Sequence, residues 1–120
     1  MAQILLKSIA GEHVLTGWDT GSDGDAEYLT LQLDGRAYTF LEKVVDSYRS
    51  ELGTITIDDR EVRTTFGPFP VLIDPWRDTD HATVGALYRG KTVAEVGTLD
   101  SNDYYPVFVA RIYPENLGET

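Results

Sequence analysis

The chain has 120 residues, with 20 Asp and Glu against 10 Lys and Arg, a formal net charge of −10, two His and no Cys. That charge repels phosphate, so it argues against nucleic-acid binding driven by counterion release and against docking on anionic lipid. Absence of Cys removes disulfides, thiolate nucleophiles and Cys-based metal sites, and it suits a reducing, cytoplasmic setting.

The length implies one domain with one core. Residues 1–10 read as a strand, because they lack the basic start and long apolar run of a secretory leader. No apolar run elsewhere approaches the roughly 20 residues of a membrane-spanning helix. Residues 28–33 alternate with period two: Leu29, Leu31 and Leu33 fall on one face, Tyr28, Thr30 and Gln32 on the other. Asp34-Gly35 then supplies a two-residue hairpin turn before a second strand at 36–41 that carries Tyr38 and Phe40 on one side. Residues 42–53 read as the one helix, with Val44, Val45, Tyr48 and Leu52 in a stripe and Gly53 as its stop. Strands are expected at 54–57 and 62–66 around the Asp58-Asp59-Arg60 turn. Gly67-Pro68-Phe69-Pro70 reads as a loop, 71–73 as a brief pairing, and 74–83 as the longest irregular stretch. A second hairpin is expected from 91–98 and 104–113, joined by Asp100-Ser101-Asn102-Asp103, with Pro106 near the start of a central last strand. The sum is an α+β fold, mostly antiparallel β-sheet with one short helix packed on a face. An echo of Gly11, Val14 and Ser22 in Gly90, Val93 and Ser101 is explained by shared hairpin grammar or by an internal repeat.

The densest acidic segment places Asp19, Asp23, Asp25 and Glu27 around Gly21 and Gly24. Such oxygens suit a hard cation like calcium, yet the spacing is not that of a twelve-residue EF-hand loop, and plain turn chemistry explains the segment as well. Asp58-Asp59 and the Asp78, Asp80 pair could serve acid–base chemistry only with a pocket and a raised pKa. His13 and His81 lack the spacing of a metal cluster, and no nucleophile elbow, Walker loop or dinucleotide fingerprint is present. Trp18, Phe69, Trp76, Tyr104 and Tyr105 fall near expected turns. Trp76, between Pro75 and Arg77 and rimmed by Asp74, Asp78 and Asp80, reads either as an interface anchor or as a ring tucked over the sheet edge.

Gly90-Lys91-Thr92-Val93-Ala94-Glu95-Val96 followed by Ser101-Asn102-Asp103-Tyr104-Tyr105 resembles the closing segment of an uncharacterised family of small phage and bacterial domains ending in Ser-Asn-x-Tyr-Tyr. The resemblance covers about a third of the chain. The paired cysteines of that family are absent, with Val44-Val45 standing roughly in their place. It implies a mobile-element or accessory gene context and transfers no activity.

The expectation is a small acidic, non-enzymatic protein-binding module without a cofactor: an inhibitor, immunity or anti-defence factor that meets a basic protein surface. That partner could itself be a nucleic-acid-binding protein. Asp19, Asp23, Asp25, Glu27, Asp74, Trp76, Asp78 and Asp80 would carry the contact. A structural or assembly component of an oligomer or virion is the second reading, and a calcium-binding or carboxylate-based enzyme the third.

Overall fold

In a computed structural model the described residues are 2–3, 6–47, 49–78, 81–100 and 106–118, with the side chains of 2, 3, 6, 76–78, 81, 82, 99, 100 and 106 outside that set. Nine strands run in chain order: β1 (Ala2–Gln3), β2 (Gly11–Asp23), β3 (Ala26–Leu33), β4 (Arg36–Val44), β5 (Ser50–Asp58), β6 (Thr64–Asp78), β7 (His81–Tyr88), β8 (Lys91–Asp100) and β9 (Pro106–Ile112). They form one antiparallel sheet in the order β1-β5-β4-β3-β2-β6-β7-β8-β9. Two four-strand meanders, β2 to β5 and β6 to β9, are thus joined through the β2/β6 pair. This doubling sets β2 against β6, whereas the sequence echo set β2 against β8.

The alternation seen in the sequence fixes which face of β3 and β4 is internal. Leu29 pairs with Phe40 and Leu31 with Tyr38, and Leu29, Leu31, Leu33 and Phe40 are fully buried. They join Leu15, Ile55, Val71, Ile73, Val84 and Val96 in one cluster that runs through both meanders. Asp34 and Gly35 have φ of 54° and 83°, the left-handed pair that a twisted two-residue hairpin requires, and Arg89-Gly90 repeats it at 52° and 81°.

The expected helix at 42–53 is instead the end of β4, a turn, and the start of β5. The β-branched Val44-Val45 extends the strand past a register shift at Leu41/Glu42. Asp46 then closes a turn, its carboxylate accepting from the Arg49 amide at 3.0 Å while the Val45 amide donates to the Arg49 carbonyl at 3.0 Å. Val44 and Val45 are 48% and 47% exposed, where a helical stripe would have buried them. No α-helix occurs among the described residues, only 3-10 turns at Leu6–Ile9 and Pro114–Leu117. Of the strand expected at 1–10, Ala2–Gln3 is strand and Leu6–Ile9 is the first of these turns. Tyr48 lies outside the described residues.

Two stretches expected to be irregular are strand. Gly67 and Pro68 stay within β6 because the register passes from Leu15↔Phe69 to Gly17↔Thr65, leaving residues 66–68 opposite Thr16 alone. That irregularity absorbs a proline with no amide to donate. Residues 74–78 continue β6 and pair with β7, from Asp74↔Gly85 to Asp78↔His81. Pro106 is the first described residue of β9, and this strand ends the sheet order where the sequence suggested a central strand.

The sheet curls until β5 reaches the far meander. There the Leu52 amide donates to Thr98 Oγ1 at 2.6 Å, and the Phe108 amide donates to Ser50 Oγ at 2.8 Å. Thr98 and Ser50 are 3% and 8% exposed, so these hydroxyls satisfy strand amides that have no ladder partner across the seam.

On the opposite face, the 59–63 connection must cross β4, β3 and β2 to bring the chain from β5 to β6. Val62 is 7% exposed. A Cβ at Gly17 would stand 2.5 Å from the Thr64 carbonyl oxygen and 2.6 Å from Val62 Cγ2. Beneath this strap Ala37 and Thr30 are fully buried, and the Thr30 and Thr39 hydroxyls bond each other at 2.9 Å.

Two stability outcomes follow. Ser50→Ala leaves the buried Phe108 amide without an acceptor and should lower the unfolding free energy by roughly 1–3 kcal/mol in urea titration, with faster exchange at that amide. Gly17→Ala should displace the strap and cost about 1–3 kcal/mol as overpacking, while Gly35→Ala, with nothing near its Cβ, should show only backbone strain.

Candidate partner-binding surface

The acidic residues singled out from sequence separate into two ends of the β2/β6 pair. β2 and β6 run antiparallel from Gly11↔Ile73 to Trp18↔Thr64. Asp23, Asp25 and Glu27 therefore lie beyond one end and Asp74 to Asp78 beyond the other. Asp74 is exposed on β6. Trp76 and Asp78 are placed in the β6/β7 ladder opposite Thr83 and His81, but their side chains lie outside the described set. Asp80, Tyr104 and Tyr105 lie outside the described residues.

Asp19 is drawn into the framework. Its carboxylate accepts from Arg63 Nε at 2.7 Å, Arg63 Nη2 donates to the Thr20 carbonyl at 2.7 Å, and the Asp19 side chain is only 16% exposed. The pair ties the end of the strap to β2.

The remaining acids of that segment form the rim of a larger surface. Asp23 and Asp25 flank Gly24, whose φ of +66° turns the chain between β2 and β3, and both are exposed. The Glu27 amide donates to Glu42 Oε1 at 2.8 Å, which fixes Glu42 of β4 beside the hairpin. Next to it the β4–β5 turn holds Asp46, paired with Arg49 at 3.0 Å. A shallow depression of about 400 Å³ is lined by Asp25, Glu42, Val44, Asp46, Arg49 and Val107 among others. Val107 reaches it from β9 only because the sheet has curled shut. Lys43 is 3.8 Å from Glu51. The result is a carboxylate-rich rim around exposed Val44 and Val45.

The sequence reading puts Asp46 on the wet face of a helix, and it is indeed exposed, but that reading places Val44 and Val45 in the buried stripe and does not join Glu42 and Asp46 to the acidic hairpin. Two adjacent β-branched residues before the turn-forming Asp46-Ser47 were the available signal for a strand end. Trp18 and Phe69, expected near turns, sit in β2 and β6. They belong to an edge-to-face series: Trp18–Phe66 at 4.6 Å, Phe66–Phe69 at 5.5 Å and Phe69–Tyr88 at 5.2 Å between centroids. These rings are half-buried against the core.

Among the described residues no group of three His, Asp or Glu is arranged to hold a metal ion. No described helix is long and apolar enough to cross a membrane. A second, open groove of about 420 Å³ lies across β2, β6 and β7, with Val14 and Leu72 exposed on its floor and Glu12, Asp34 and Arg89 around it.

The carboxyls of Asp34 and Asp58 are displaced from the ordinary range. At Asp34, partial burial pushes the pKa up, but the Val14 amide at 2.8 Å and His13 at 2.6 Å together outweigh it and hold the carboxyl below its usual value. At Asp58, partial burial likewise acts upward and is overcome by the backbone amide and guanidinium of Arg60, leaving the carboxyl below its usual value.

No family model, curated protein or solved structure matches this chain.

A depressed folded-state pKa contributes stability above the unfolded value, near 4 for Asp, and that contribution is lost as pH falls through the folded value. The urea midpoints of wild type and Asp34→Asn should therefore differ at pH 6 and converge as the pH is taken below about 4. A gap that stays constant on acidification would show that Asp34 stabilises the turn without its charge.

Proposed function

We propose that the chain is a small protein-binding module that presents the acidic end formed by the β2–β3 hairpin and the β4–β5 turn to a basic surface on another protein. The observation that carries this reading is the hollow that Asp25, Glu42 and Asp46 share with exposed Val44 and with Arg49, the exposed Asp23 and Glu27 lying on the adjoining β2–β3 hairpin. Apolar side chains at the centre supply burial, and the carboxylate rim supplies steering and selects against acidic partners. Such a surface can occupy a groove built for nucleic acid by offering carboxylates where phosphates would lie. An inhibitor, immunity or anti-defence factor acting in the cytoplasm is the form this chemistry takes, in keeping with the accessory-gene context that the terminal Ser-Asn-x-Tyr-Tyr resemblance implies. Asp74 and Asp78, beyond the opposite end of the β2/β6 pair, belong to a separate surface in this reading.

A structural or assembly role is the second reading, favoured by the exposed Val14 and Leu72 on the groove over β2 and β6. Light scattering separates the two, since a concentration-independent monomer counts against assembly.

Capture from lysate at increasing ionic strength, with a variant carrying Asp23→Asn, Asp25→Asn and Glu42→Gln, tests the first reading. Basic proteins should be retained at low salt and released as ions screen the contact over about 8–10 Å. The triple variant should retain at least several-fold less of them, while Asp74→Asn retains as much as wild type. Equal capture by the triple variant would remove the acidic end from the interface.

A further inference from the structure

His13 is held on both sides of its ring. Nδ1 stands 2.6 Å from Asp34 Oδ2, and Nε2 stands 2.8 Å from the Ile9 carbonyl oxygen. Both neighbours are acceptors, so only a ring carrying a proton on each nitrogen donates to both. The two bonds join separate parts of the chain. Asp34 belongs to the β3–β4 turn, where it also accepts from the Val14 amide at 2.8 Å and donates its own amide to the Val14 carbonyl at 2.9 Å. Ile9 ends the Leu6–Ile9 turn and buries its side chain in the core at 2% exposure. Between Ile9 and His13 the chain swivels at Gly11, whose φ of +114° is open to glycine and has nothing near its missing Cβ.

We propose that His13 is a proton-controlled latch that grips the Leu6–Ile9 turn when its ring is doubly protonated and lets go when the ring becomes neutral. The Asp34 carboxylate favours keeping the remaining proton on Nδ1, so the proton lost is the one on Nε2. That nitrogen then turns a lone pair toward the Ile9 oxygen, and a hydrogen bond becomes a contact between two acceptors. Other groups stand around the ring. Tyr38 of β4 meets it edge-on at 6.2 Å, Val71 of β6 is its cross-strand partner, and Glu12 of β2 and Arg89 of the β7–β8 turn line the same groove. Lys7, on the held turn itself, is exposed. The Ala10 amide donates to the Lys7 carbonyl across this turn in a long bond of 3.4 Å, which makes it a direct reporter.

Amide exchange of the full chain at pH 5.5 and pH 8, corrected for intrinsic rates, tests the latch together with the 15N shifts of the His13 ring. Protection at Ala10 should fall about five- to tenfold from the lower to the higher pH, the scale of one hydrogen bond, while Leu31 in the core keeps its protection. His13→Asn, which carries no titrating ring, should abolish that pH dependence. The wild-type titration decides the matter even where the variant folds poorly. Unchanged Ala10 protection across the two pH values, the same pH dependence in His13→Asn, or ring shifts showing a neutral His13 with its proton on Nε2 at both pH values would each overturn the latch.

Discussion

Ser50 and Thr98 lie where the two meanders meet without a strand ladder between them, and the shape of the molecule depends on what their hydroxyls do. A sheet of this length twists and coils, and it brings β5 against β8 and β9 without a ladder between them. Backbone pairing cannot be continuous there, so the amides of Leu52 and Phe108 would be buried without acceptors. Two short polar side chains accept from them, and Thr83 donates to the Thr98 carbonyl at 2.9 Å beside the seam. Among the described residues no buried side-chain nitrogen or oxygen is left without a partner. A buried amide left unpaired costs about 1–3 kcal/mol, a large share of the marginal stability of a domain this size.

Closure also makes the surface. Val107 of β9 belongs to the far end of the chain, yet it lines the same depression as Asp25 and Asp46. Were the sheet open, the β4–β5 turn would stand alone, and Val44 and Val45 would flank no shared hollow. The strap at 59–63 contributes from the other face. It packs Val62 over Gly17 of β2 and takes Asp19 out of the acidic set through Arg63. One acid of the hairpin thus serves the fold while its neighbours remain free to face a partner.

His13 shows the same division of labour on the other side. Its bonds to Asp34 and Ile9 hold an N-terminal turn against the β3–β4 hairpin, and the hairpin's positive-φ turn residue, Asp34, is the one that receives it. Asp34 thus sets the turn geometry and also anchors the imidazole. Local turn chemistry and long-range fastening share one side chain.

The residues alone determined the antiparallel sheet, because Leu29, Leu31 and Leu33 alternate with polar neighbours and Asp34-Gly35 permits one kind of hairpin. They determined the acidic character, a property of side-chain composition alone. Tertiary structure decided the rest. A stripe at 44, 45, 48 and 52 fits a helix as well as two strand ends and a turn, and only pairing of Lys43 with Glu51 and Val44 with Ser50 chose the latter. Gly67-Pro68 looked like a break until the neighbouring strand left room for a bulge around it. The two acidic segments were separated by the register of β2 on β6, and Glu42 and Asp46 were added to one of them by folding. Period-two patterning says which face a side chain takes, but which charged loops become neighbours is set by strand order, register and closure, and these depend on contacts far apart in the chain.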